Sequence, residues 1–133
     1  MPDAFHPIRV DQFHASHDSD EDILTVAFAE GNDPDPENYL ILESGEPDEL
    51  GRCYFEIGDR ANSGYDGFAG WSLAGRQIVL HFTAACAQRF TCPGLVLALP
   101  DDVEIATVTA ALQQALGITA PPLGQHTWPP ILP

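Results

Sequence analysis

Residues 23–57 read ILTVAFAEGNDPDPENYLILESGEPDELGRCYFEI, and this stretch decides the fold. It holds three short apolar runs, ILTVAFAE, YLILES and the start of CYFEIGD, each of strand length and each bounded by turn residues. GNDPDPEN, with Gly31, Asn32 and two Asp-Pro pairs, excludes helix and ladder alike. GEPDELG is turn chemistry again. ILTVAFAE alternates poorly and reads as a mostly buried strand. CYFEIGD alternates cleanly, with Tyr54, Glu56 and Gly58 on one face and Cys53, Phe55 and Ile57 on the other.

The pattern continues on the C-terminal side. NSG at 62–64 is a hairpin signal. YDGFAGWSLAG (65–75) is a strand weakened by glycines, with Gly67 and Gly70 marking a bulge or a close backbone approach. Gly75-Arg76 turns the chain into QIVLHF (77–82), rich in branched residues. TAACAQRF (83–90) fits two helical turns capped by Thr83, and LVLAL (95–99) is a last strand. An amphipathic helix is expected over about 101–116. Asp101 and Glu104 head it as a capping box, Ile105, Val108, Leu112, Ala115 and Leu116 share one face, and Gly117 is its stop.

Residues 1–21 form a polar, His-rich and acidic arm, expected to be loosely ordered apart from an edge strand around Ile8 to Phe13. The Pro-rich tail, 118–133, is expected to lie on the body through Ile118, Leu123, Trp128, Ile131 and Leu132. The whole, 1–133, is a single α+β domain: an antiparallel meander of five or six short strands, with one C-terminal helix on one face.

Charge is distributed unevenly. Residues 1–50 hold fourteen of the 20 acidic residues and one base, Arg9, a net charge of −13 (1 − 14). Residues 51–133 hold six acids and four arginines, a net charge of −2 (4 − 6). There is no lysine. Such a charge distribution argues strongly against binding nucleic acid or anionic lipid, whose phosphates require Lys and Arg; it suits a basic partner. No apolar run has the length of a membrane span, and the first residues have no signal-peptide pattern. The 3 cysteines, without a CxxC, fit a reducing cytoplasm.

Motifs for chemistry are weak. His14 and His17, with Asp18, Asp20 and Asp22 nearby, imitate a metal cluster, but no second ligand group stands opposite them. The same aspartates imitate a calcium loop whose glycine position holds Ile23 and whose closing position holds Ala29. Gly70-Trp71-Ser72-Leu73-Ala74 imitates a nucleophile elbow, yet Ser72 lies within a strand pattern and a second strand follows. Gly64, Gly67 and Gly70 lack the lysine of a phosphate cradle. Cys86 and Cys92 read as inert thiols, and His81 as a strand histidine with a hydrogen-bond partner. No catalytic residue, metal or cofactor is expected.

Taken in order, LTVAFAEGNDPDPENYLILES, CYFEIGDRANSGYDGF and WSLAGRQIVLHF resemble the immunity protein 10 family of bacterial polymorphic toxin systems. The family pattern falls here on Phe28-Ala29-Glu30, Pro34 to Glu37, Tyr39 to Leu42, Tyr54 to Ile57, Gly64 to Gly67, and Asp101 to Leu116. After YLIL this chain carries Glu43-Ser44-Gly45-Glu46, where the family tends to include a base. The resemblance implies a cytoplasmic, non-catalytic antidote that binds and neutralises a cognate toxin domain, expected to be basic. The expected contact residues are Asp18, Asp20, Glu21 and Asp22 on the arm, Asp33, Asp35 and Glu37 in the first turn, and Tyr39, Tyr54 and Tyr65 as aromatic anchors. The alternative is an adaptor or assembly domain, homodimeric through a sheet edge or the Pro-rich tail.

Overall fold

The computed structural model describes residues 5–18, 23–44 and 53–116. The architecture is α+β and mostly strand. Nine strands and two helices lie among the described residues, in the order β1 (His6–Arg9), β2 (Gln12–Asp18), β3 (Ile23–Ala29), β4 (Tyr39–Ser44), β5 (Cys53–Ile57), β6 (Ser63–Tyr65), β7 (Phe68–Ala74), β8 (Gln77–Phe82), α1 (Ala84–Phe90), β9 (Gly94–Ala98) and α2 (Ile105–Leu116).

The expected meander is present as the five-stranded antiparallel sheet β2-β3-β4-β5-β6. The remaining strands form a second sheet, β1-β9-β8-β7, in which β1 runs parallel to β9. One meander is therefore corrected to two sheets. The cause is local. Asp66 adopts a left-handed backbone, φ 54°, and its carboxylate and amide bond the Cys53 amide (2.9 Å) and carbonyl (2.8 Å). The chain thereby leaves the first sheet before β7 begins. At Gly67 a Cβ would lie 2.5 Å from Phe55 Cε2 and 2.8 Å from Cys86 Sγ, so only glycine passes this crossing.

The N-terminal part is corrected too. Residues expected as a loose arm with one edge strand around Ile8 to Phe13 make two strands, β1 and β2, one in each sheet. The switch takes two residues: the Val10 amide bonds Ala98 in one sheet and the Asp11 amide bonds Ala29 in the other. Alternation explains the burial. Leu24, Val26 and Phe28 of β3, Leu40 and Leu42 of β4, and Cys53 and Phe55 of β5 all face inward. They share one core with Ile78 and Leu80 of β8, Leu95 and Leu97 of β9, and Val108, Leu112 and Ala115 of α2. Phe55, Phe68, Phe82 and Phe90 join both sheets and α1 through ring contacts of 5.3–6.2 Å.

α1 begins as expected, with the Thr83 side chain accepting the Cys86 amide. α2 begins later than expected, at Ile105, and Asp101 does not cap it. Pro100 to Glu104 form a turn instead, held by the Arg76 guanidinium, which donates to the carbonyls of Pro100 and Val103. The turn thus has a charged donor from the β7–β8 connection, which competes with an earlier helix start. The expected helix stop and the tail, 117–133, lie outside the described residues. Among the described residues no helix is long and apolar enough to cross a membrane.

Candidate partner-binding face

Strand parity gives the five-stranded sheet an outer face opposite the core. Tyr39, Ile41 and Glu43 of β4 stand there, beside Ala27 and Ala29 of β3, Tyr54 and Glu56 of β5, and Ser63 and Tyr65 of β6. All three tyrosines expected as anchors therefore share one face. Tyr39 and Tyr54 both donate hydroxyl hydrogen bonds to Glu56, at 2.5 Å to Oε2 and 2.8 Å to Oε1. Tyr65 packs edge-on to Tyr54, with centroids 5.7 Å apart, and is 60% exposed. Its backbone partner across the ladder is Tyr54 itself.

The electrostatics follow from those bonds. The two hydroxyls, Tyr39 first, hold the Glu56 carboxyl below its ordinary range, so it is a fixed negative charge. Partial burial and then Glu56 push the Tyr39 phenol up to about 12. The Glu56 hydrogen bond raises Tyr54 as well. Both phenols remain neutral donors at neutral pH.

The acidic turn, residues 31–38, caps one end of this face. It is held in part by side chains of the stretch expected as an edge strand around Ile8 to Phe13. Gln12 donates to the carbonyls of Gly31 (2.8 Å) and Asp33 (3.3 Å). Asp11 accepts the Gly31 amide at 2.6 Å and pairs with Arg9 at 2.9 Å. Glu30 accepts the Arg9 amide and the Asn38 side chain, each at 3.0 Å. Arg9, through its side chain for Asp11 and its amide for Glu30, holds both carboxyls low. Within the turn, Asp33 Oδ1 accepts the Asp35 amide at 3.1 Å, while Asp33, Asp35 and Glu37 stay exposed. Asp11, Glu30 and Asp33 thus brace the turn by accepting amides, and Asp33, Asp35 and Glu37 are exposed.

A concavity lies on either side of the turn. Toward the outer face, Asp35, Pro36, Tyr39, Ile41, Ala27 and Ala29 line a groove of about 260 Å³. Toward the second sheet, a cleft of about 550 Å³ has Phe82, Phe90 and Leu95 in its wall, with His6, Glu37 and Asn38 among the polar groups lining it. His6 Nε2 and Asn38 Oδ1 are 2.8 Å apart there.

The arm acids stand elsewhere. Asp18 ends β2 opposite Ile23, at the far end of β3 from Ala29 and the turn. Asp20, Glu21 and Asp22 lie outside the described residues. The fold brings Asp33, Asp35, Glu37 and Tyr39 together at one end of the face and sets Tyr54 and Tyr65 toward the other. Sequence reading missed Glu56, Ala27, Ala29 and Ile41; the alternation of CYFEI held the signal for Glu56.

The rejected motifs have structural reasons. His14 pairs with Ala27 and His17 with Leu24, so the two histidines leave an extended strand on opposite faces. Ser72 is buried inside β7 opposite Val79, not on a turn. Burial, and then Asp66, push the Cys53 thiol up to about 12, far from a reactive thiolate. Three of the four described arginines are engaged: Arg9 with Asp11, Arg76 with two carbonyls, and Arg89 with the carbonyls of Ala61 and Ser63. No protein-family model matches the chain, and neither does any curated protein.

Proposed function

We propose that this chain is a cytoplasmic immunity protein, a non-catalytic antidote that binds and neutralises the toxin domain of a polymorphic toxin system. The observation that carries the reading is the exposed acidic turn, rigidly tethered, with a concavity on each side and a tyrosine-lined sheet face beside it. Carboxylates at Asp33, Asp35 and Glu37 compete for the sites where a basic toxin would hold phosphate, and opposite charge speeds their encounter. The tyrosines supply area beside the charge, and such buried anchors hold more binding energy than rim carboxylates. Tethering the turn in advance lowers the ordering cost of binding.

The test is co-expression with the C-terminal domain of the neighbouring large secreted protein, read as growth rescue and as co-purification. Rescue with a stable complex is the expected result. Reversal of Asp33, Asp35 and Glu37 to lysine slows association at least tenfold at low salt, and the difference shrinks as salt is raised. Binding indifferent to that triple reversal would remove the acidic turn from the interface. The alternative adaptor reading predicts that the chain self-associates without any toxin. Its tail-mediated form concerns residues 118–133, outside the described part.

A further inference from the structure

Among the described residues four strands end the two sheets: β1 and β7 on one, β2 and β6 on the other. An open edge is a template for pairing unless something blunts it. β6 is only 3 residues long. β1 has 4 residues and contains Pro7. β7 is interrupted by a register shift between Phe68 and Gly70. β2 has none of these devices. It runs for 7 residues without proline, and its register to β3 is unbroken from Gln12↔Ala29 to Asp18↔Ile23.

The direction of its backbone groups follows from the next ladder. The Glu30 amide bonds the Asn38 carbonyl, so the hydrogen-bonded pairs between β3 and β4 are Phe28–Leu40, Val26–Leu42 and Leu24–Ser44. The alternate residues of β3 then bond β2, through His14 and Ser16. Phe13 and Ala15 direct their amides and carbonyls away from the sheet, and Ala15 is exposed.

We propose that β2 is the pairing edge for a strand of a basic partner, which extends the sheet to six strands by main-chain hydrogen bonding. The inference rests on the immunity reading and names its geometry. Charge selects the occupant. A second copy would bring a second net −15 against the first, whereas a cationic strand is drawn to this half of the chain. Gln12 ties the start of β2 to the carbonyls of Gly31 and Asp33, so a strand laid along β2 ends against the acidic turn. Edge and turn form one continuous surface.

Amide hydrogen exchange on the full chain, free and bound to the same toxin domain, tests this together with two proline variants. Protection of the Phe13 and Ala15 amides on binding is the expected result. Ala15→Pro removes an outward amide and should weaken binding at least tenfold with an unchanged urea midpoint. Ser16→Pro removes a ladder amide and should lower the midpoint itself. A complex that leaves both amides exchanging as in the free chain overturns the edge and leaves the immunity reading standing. An Ala15→Pro variant that folds and binds like the parent overturns the edge in the same way. No complex at all overturns both. A dimer of the free chain with those amides already protected overturns the basic partner in favour of self-pairing. If Ala15→Pro does not fold, exchange on the parent chain decides alone.

Discussion

Glu56 is where the candidate face is most finely adjusted. Its carboxylate accepts from Tyr54, two positions back on its own strand, and from Tyr39 on the neighbouring β4. The pair of bonds fixes the rings and keeps the charge. Glu56→Gln keeps an acceptor and removes the charge. The Tyr39 phenol, raised to about 12, should then titrate closer to its ordinary value. A near-ultraviolet phenolate titration checks this, and an unchanged curve would show that burial alone sets Tyr39. The sign for stability follows from the same shift. The folded phenol has the higher pKa, so its contribution is complete below 10.0 and is lost as pH rises through about 12. Asp11, Glu30 and Glu56 are lowered instead, from 3.8, 4.5 and 4.5. Their contribution is present above those values and is lost as pH falls through the depressed folded ones. Two glycines separate strain from collision. At Gly94 a Cβ would collide with the Leu80 carbonyl oxygen, and Gly94→Ala should cost more than about 4 kcal/mol or prevent folding. At Gly75, φ +63° with open space around it, Gly75→Ala should cost only about 1 kcal/mol. Urea unfolding of the two variants orders them.

At the scale of elements, the short helix α1 acts as a bracket between the sheets. Thr83 caps its start, Phe90 reaches Phe55 of one sheet and Phe82 of the other, and Arg89 grips the β5–β6 hairpin through the Ala61 and Ser63 carbonyls. Thr83→Ala leaves the Cys86 amide without its acceptor and should cost about 1 kcal/mol. Arg89→Ala should instead loosen the hairpin locally, seen as faster exchange of amides in residues 58–65 with a smaller change in global stability. Equal acceleration across the whole sheet would contradict the bracket. Most strand positions were legible element by element. YLILES and QIVLHF carry the right bounds because their runs are short, branched and flanked by turn residues. β1 and β2 were legible only as one edge strand around Ile8 to Phe13, since HPIR and QFHASHD carry few apolar residues. They become strands by completing ladders that other strands begin.

The whole molecule carries a formal net charge of −15, most of it in the half that builds the five-stranded sheet. Self-repulsion destabilises the free fold, and on the proposed reading the same charge attracts a basic partner, so salt should act with opposite signs on the two. Raising ionic strength should raise the thermal midpoint of the free chain while slowing its association with the proposed toxin domain. Parallel movement of both quantities would show that surface charge governs neither. Within the candidate site, the acidic turn and the three tyrosines were readable from residue type and alternation. Their relation was not. Only the register of β3, β4, β5 and β6 puts the tyrosines on one face, and the Asp11 and Gln12 side chains, remote in sequence from the turn, help hold its shape.

By itself the amino-acid order determined the α+β class, the positions of most strands and the local acidity. Those properties follow from side-chain periodicity, turn residues and charge, all of which act over a few neighbouring residues. Tertiary structure alone decided that there are two sheets, that β1 runs parallel to β9, that Asp11 and Glu30 brace the acidic turn, and that β2 ends a sheet among the described residues. Those outcomes depend on which distant strands meet. The meeting is settled by Asp66 and Gly67 at one crossing and by Val10 and Asp11 at the other, where a few hydrogen bonds and one close contact redirect the chain.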